Sequence, residues 1–158
     1  MTATLLAKVL TASDGVVYGT RVDTSGFALK ERLTELGYEV LELRVSEDGI
    51  EPVGSALREM SEGFSGVIVT TGGTGFTQRD LTPEATRTVI DRDAPGLSEA
   101  MRLVNPLGRL SRGVAGTVGE TLIINTPGST RGCIECLDAV ADVLPHVLAL
   151  LAGVDKSH

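Results

Sequence analysis

The stretch TTGGTGFTQRDLTPEAT, residues 70–86, continues directly from the apolar run GVIVTT (66–71). A short, nearly all-apolar run that breaks into glycine and then into a Thr-Pro-Glu helix start reads as a strand buried on both faces, turning into a crossover helix. Thr82 is expected to cap that helix, Pro83 fits its first helical position, and Glu84 suits the positive end of its dipole. Three glycines beside an Arg-Asp pair cost conformational entropy on folding, so the chain gains something there by letting backbone or ligand come close.

The same alternation of patterns extends in both directions. LLAKVLTAS (5–13) reads as a first strand ended by a Ser-Asp-Gly turn. DTSGFALKERLTELGY (23–38) reads as a helix, with Phe27, Leu29, Leu33 and Leu36 near helical spacing, Thr24 or Ser25 as cap and Gly37 as stop. EVLELRV (39–45) is a second strand, and EPVGSALREMSEG (51–63) is a helix with Pro52 in its first turn. Three strands with helical crossovers predict a parallel sheet covered on both faces. Beyond the glycine loop, PGLSEAMRLVN (95–105) reads as a short helix. Gly113, Gly116 and Gly119 punctuate a hairpin-like excursion beside a last strand and turn, TLIINTPG (121–128). CIECLDAVADVLPHVLALLAG (133–153) closes the chain as a helix that Pro145 should kink or restart. The expected fold is therefore α/β, with a mostly parallel sheet and a small antiparallel excursion.

At 158 residues the chain has the length of one ordinary domain, spanning 1–158, with no internal repeat or linker. Its 42% hydrophobic and 22% charged composition is that of a folded globular chain. No apolar run approaches the roughly 20 residues needed to cross a bilayer, and the first residues lack the basic and apolar regions of a signal peptide, so a cytoplasmic location without membrane contact is expected. The net charge of −7 is unevenly spread. Residues 1–78 carry six basic and eleven acidic groups (−5), residues 79–131 seven and six (+1), and residues 132–158 one and four (−3). An acidic chain without a basic stripe does not suit nucleic acid, whereas the arginines of the middle third suit one small anion.

In open parallel sheets ligands bind beyond the carboxyl ends of the strands. Four polar or glycine-rich stretches fall at such ends: SDG (13–15), SEDG (46–49), GGTGFTQRD (72–80) and NTPGS (125–129). The glycine loop offers unobstructed backbone N–H groups of the kind that cradle phosphates, although neither Gly-Lys-Ser/Thr nor GxGxxG is present. Asp80, Glu47 and Asp48 are carboxylates that could meet around magnesium, with substrate phosphates supplying further ligands. No catalytic triad is available: His146 lies within an apolar helical run, and His158 is the last residue. Cys133 and Cys136 form CxxC, but without a second ligand pair or a strand-to-helix setting. Two small apolar residues on one helix face is the favoured reading, and a redox pair the alternative.

The central stretch, together with LSRGVAG (110–116), LIINTPGS (122–129), TASDG and DTSG, closely resembles the molybdopterin adenylyltransferases of the MogA/MoaB type, the family that includes the G domain of gephyrin. The resemblance runs across essentially the whole chain. It implies a three-layer α/β/α sandwich, a homotrimer, and transfer of AMP from ATP with Mg2+ to the terminal phosphate of molybdopterin, releasing pyrophosphate and supplying the substrate of a molybdenum insertase. By matching position, Asp80 falls on a catalytic, metal-binding aspartate. The second family aspartate, in a strand exit usually written Pro-Asp-Asp or Pro-Asp-Glu, falls on Glu47. Glutamate keeps the charge but is one methylene longer, so either it binds magnesium in altered geometry or Asp48 takes over. Ser13, Asp14, Gly72, Gly73, Thr74, Gly75, Ser111, Arg112, Pro127 and Gly128 fall on the family's ligand-binding loops. The departure at Glu47 leaves a second reading, a MoaB-like paralogue that binds molybdopterin or acts as a scaffold without adenylylating it.

Overall fold

The computed structural model describes residues 4–154. Its sheet has six strands, β1 (Leu5–Ala12), β2 (Tyr38–Ser46), β3 (Gly66–Thr71), β4 (Arg92–Asp93), β5 (Ala115–Val118) and β6 (Thr121–Thr126), in the spatial order β2-β1-β3-β6-β5-β4. β1, β2, β3 and β6 are parallel, while β5 runs antiparallel to β6 and β4 antiparallel to β5. The expected antiparallel excursion is thus the β4–β5 edge.

Side-chain alternation divides the core between the two faces of the sheet. Ala7, Val9, Val67, Val69, Leu122 and Ile124 face one way, beneath α2 (Thr24–Glu35), α5 (Pro95–Leu103), α6 (Thr130–Val140) and α7 (Leu144–Leu151). Leu10, Ile68 and Ile123 face the other way, beneath α3 (Ile50–Ser61) and α4 (Thr82–Arg87). All six residues of both β3 and β6 are buried, which is why these strands read as unbroken apolar runs. Among the described residues no helix is long and apolar enough to cross a membrane.

The helix starts differ from expectation in three places. The α2 cap is Asp23, whose carboxylate accepts from Gly26 N–H at 3.0 Å and from the Thr11 hydroxyl at 2.9 Å. A buried acceptor that serves β1 and α2 together outcompetes the neighbouring hydroxyls of Thr24 and Ser25. At α4 the cap position is Leu81, while the Thr82 hydroxyl is buried against Gly73 without a hydrogen-bond partner. The exit of β1 is a four-residue helix, α1 (Asp14–Val17), capped by Ser13 through Val16 N–H at 3.2 Å. Phe27 lies on the outer face of α2 and is exposed. Pro145 restarts the last helix, separating α6 from α7.

Cys133 and Cys136 are free and buried within the α6 packing, and burial pushes their thiols up to about 12 and about 11. This ends the redox reading, since the thiolate is the reactive form. Iodoacetamide at pH 8 should label neither cysteine in the native protein and both in denaturant; fast native labelling would contradict the burial. Leu122 is fully buried at the centre of the sheet, so Leu122→Ala should lower unfolding stability by about 2–5 kcal/mol, read from the urea midpoint.

Candidate functional site

A cleft of about 800 Å³ opens at the carboxyl ends of the parallel strands. Its lining includes Ser13 after β1, Asp48 after β2, Gly72, Gly73, Thr74, Gly75 and Asp80 after β3, and Pro127 and Gly128 after β6. The four strand exits singled out in the sequence therefore meet in one place. Ser111 joins them from the segment before β5, and the starts of α2 and α6 contribute Thr24, Ser25, Ser129 and Gly132. Helix N-termini bring partial positive charge, so the cleft floor favours anions. Thr71 holds the two helix starts in place, its hydroxyl lying 3.0 Å from Ser25 Oγ and 2.9 Å from the Pro127 carbonyl oxygen.

The loop after β3 is shaped by backbone that only glycine adopts readily. Gly72 and Gly73 have φ of +95° and +71°. A Cβ at Gly72 would strike the Ala12 carbonyl oxygen, and one at Gly73 the Thr82 hydroxyl. Gly72 N–H still donates to Thr126 O at 3.2 Å, keeping step with the sheet. From there on the amides are released: among the described residues, the N–H groups of residues 73–76 have no protein acceptor. At the loop tip Thr77 N–H donates to Asp80 Oδ2 at 2.9 Å and Asp80 N–H to Thr77 O at 3.1 Å. Four successive unpaired amides beside a cleft form a concave donor surface suited to phosphate oxygens.

The acidic residues divide into two roles. Asp14 is not part of the cleft lining; its carboxylate accepts from Arg79 Nε at 3.0 Å and Nη2 at 3.1 Å, which holds its pKa below the ordinary carboxylate range. It also accepts from Asp48 N–H at 3.0 Å, while Asp14 N–H donates to Asp48 Oδ2 at 3.0 Å. This reciprocal pair ties the exits of β1 and β2 together, and Arg79 Nη2 reaches the Asp48 carbonyl oxygen at 3.0 Å. Burial, with the neighbouring charges of Asp14 and Asp80 adding to it, raises the Asp48 carboxyl above its usual range. Glu47 lies outside the lining; its carboxylate accepts from the Tyr18 hydroxyl at 2.8 Å. Successive residues leaving an extended strand point in opposite directions, so Asp48 rather than Glu47 shares the cleft with Asp80.

Arg112 also stands outside the lining of this cleft, behind the glycine loop, where it bonds to main-chain carbonyls and to Glu84. A polar knot that sequence pattern does not show lies beneath it. Buried Asn125 accepts from Val114 N–H at 3.0 Å and donates to the hydroxyls of Thr70 and Thr86, each at 3.0 Å. It joins β3, β6, α4 and the segment entering β5. The far wall, with Met101, Val104, Leu107 and Leu110, comes from α5 and the 3-10 helix Pro106–Leu110. The run of leucines around Asn105 and Pro106 was the available signal for an exposed apolar rim.

Residues 8–146 match the family described as "Probable molybdopterin binding domain". The chain is 38% identical to the molybdopterin adenylyltransferase of Helicobacter pylori strain J99 over 152 residues, 92% of this chain and 86% of that one. Among solved structures it is similar to the molybdopterin biosynthesis enzyme MoaB of Thermus thermophilus, with TM-score 0.90 and 45% identity over 95% of this chain and 98% of that one. It is also similar to the molybdopterin biosynthesis Mog protein of Mycobacterium ulcerans, with TM-score 0.87 and 39% identity over 96% and 99% of the two chains. With the glycine loop, the strand-end cleft and nearly the full length matched, the chain belongs to the molybdopterin-binding domain family of molybdenum cofactor biosynthesis.

Proposed function

We propose that this protein is a molybdopterin adenylyltransferase, transferring AMP from ATP to the terminal phosphate of molybdopterin with release of pyrophosphate. The observation that carries the reading is the run of unpaired amides at residues 73–76, of which residues 73–75 line a cleft that also holds Asp48 and Asp80. A phosphate oxygen of the pterin attacks the α-phosphorus of ATP while the bond to the β-phosphate breaks. The attacking oxygen is already anionic, so neither a covalent nucleophile nor a histidine base is required. The chain's contribution is to align two polyanions and offset their charge.

The donor set fits magnesium. Asp80 Oδ2 accepts one backbone N–H and Asp48 Oδ2 another, which leaves the second oxygen of each carboxylate open. Among the described residues no group of three or more His, Cys, Asp or Glu is arranged to hold a metal, consistent with an ion whose other ligands are water and substrate phosphate. When bound, magnesium supplies charge neutralisation on the phosphates. Asp80 and Asp48 would hold it, Asp14 and Arg79 fix Asp48, and the loop amides would take phosphate oxygens. Asp48 thereby fills the place that positional matching assigns to Glu47. Because ATP is the co-substrate, the cytoplasm is the proposed location.

A homotrimer is proposed from the family resemblance, and the exposed leucines Leu103, Leu107 and Leu110, at 85%, 70% and 57% exposure, supply apolar surface that self-association would cover. Sedimentation should then give three times the chain mass.

Pyrophosphate release should require molybdopterin, ATP and magnesium together. Asp80→Asn and Asp48→Asn should each lower kcat at least about a hundredfold, about 2.7 kcal/mol in barrier, while Glu47→Gln stays within a few-fold of the parent. Pterin binding without release in the parent, with release gained by Glu47→Asp, would instead identify a binding paralogue.

A further inference from the structure

Three carbonyl groups of the glycine loop are collected by one residue. Arg112 N–H donates to Thr74 O at 2.9 Å, its Nε to Gly75 O at 2.7 Å and its Nη2 to Asp80 O. The guanidinium is held from the other side by Glu84 of α4, with Nη1 to Oε2 at 2.6 Å, and it lies over the Phe76 ring at 5.9 Å from the centroid. Arg112 lines a smaller hollow and not the cleft, although its neighbours Ser111 and Gly113 line both. In a trans peptide unit the C=O of one residue and the N–H of the next point in opposite directions. Drawing the carbonyls of Thr74 and Gly75 back onto Arg112 therefore aims the N–H groups of Gly75 and Phe76 away from it.

We propose that Arg112, oriented by Glu84, is a positioning residue that aims the anion-binding amides of the loop and does not itself touch the phosphates. This rests on the reading of the cleft as a phosphate site, and it reverses the ligand contact that motif position assigns to Arg112. The two roles have opposite consequences. An arginine that bound phosphate directly would be freed by loss of Glu84, and lysine would retain its charge. An arginine that works by planar geometry needs Glu84 to hold it, and lysine, a point charge with no rigid fork, cannot gather the same carbonyls.

The test titrates inorganic pyrophosphate, in magnesium buffer, into the full chain and its Glu84→Gln and Arg112→Lys variants by calorimetry, with 15N amide spectra of each and thermal unfolding as the check on folding. Expected are a Kd raised at least about fivefold in both variants, Gly75 and Phe76 amide resonances displaced before ligand is added, and a weaker response of those two resonances to pyrophosphate. Near-parent unfolding midpoints would separate this from general destabilisation. If the parent binds pyrophosphate and Arg112→Lys matches it, or Glu84→Gln binds equally or more tightly, the positioning role is wrong while the phosphate site stands. If the parent binds no pyrophosphate, the phosphate reading of the cleft falls and the positioning role with it.

Discussion

A loop that leaves four consecutive N–H groups without a protein acceptor must still satisfy its carbonyls, and this constraint organises the molecule around the end of β3. Gly73 O accepts from Thr82 N–H, Thr74 O from Arg112 N–H, Gly75 O and Asp80 O from the Arg112 guanidinium, and Thr77 O from Asp80 N–H. Three of the five acceptors depend on Arg112, more than 30 positions downstream, so the shape of the loop is tied to the segment entering β5. Buried Asn125 secures that segment, its amide spanning β3, α4 and the approach to β5. A buried network of this kind is rigid when every member is satisfied, and here the rigidity is transmitted to the loop.

Around the loop, electrostatics are sorted by position rather than by net charge. The chain is acidic overall, yet the start of α2, the start of α6 and the loop amides converge on one concavity. Two carboxylates face this positive ground, and the Asp48 carboxyl, raised by burial and by its like-charged neighbours, registers the cost of placing them together. A divalent cation between phosphate and carboxylate would relieve both repulsions at once, which is how the proposed activity is compatible with so acidic a chain.

The β2 exit shows how a one-residue shift in a motif can be absorbed. Glu47 takes the Tyr18 hydroxyl at the outer edge, and Asp48 exchanges backbone hydrogen bonds with Asp14 and faces inward. The resemblance assigns a carboxylate to position 47, while the carboxylate of this exit that lines the cleft is Asp48. Arg79, neighbour of Asp80 in the chain, closes the arrangement by bonding both the Asp14 carboxylate and the Asp48 backbone.

By itself the sequence determined whatever depends on short range: the strands from apolar runs, the helices from their spacing, the restart at Pro145, and the glycine turn that positive φ demands. It also located the cleft, because strand exits in a parallel sheet share one edge. What it could not decide is the direction of side chains whose partners lie far along the chain. Arg112, named for the ligand, turns instead to carbonyls 32 and 37 residues away. Asp23 outcompetes two adjacent hydroxyls for the α2 cap because Thr11, twelve residues earlier, completes its bonding in the core. Asp48, not Glu47, enters the cleft because Asp14, 34 residues before it, fixes the backbone there. Periodicity fixes which elements form; the bonds between distant segments, made only when the layers pack, decide which atoms face the ligand.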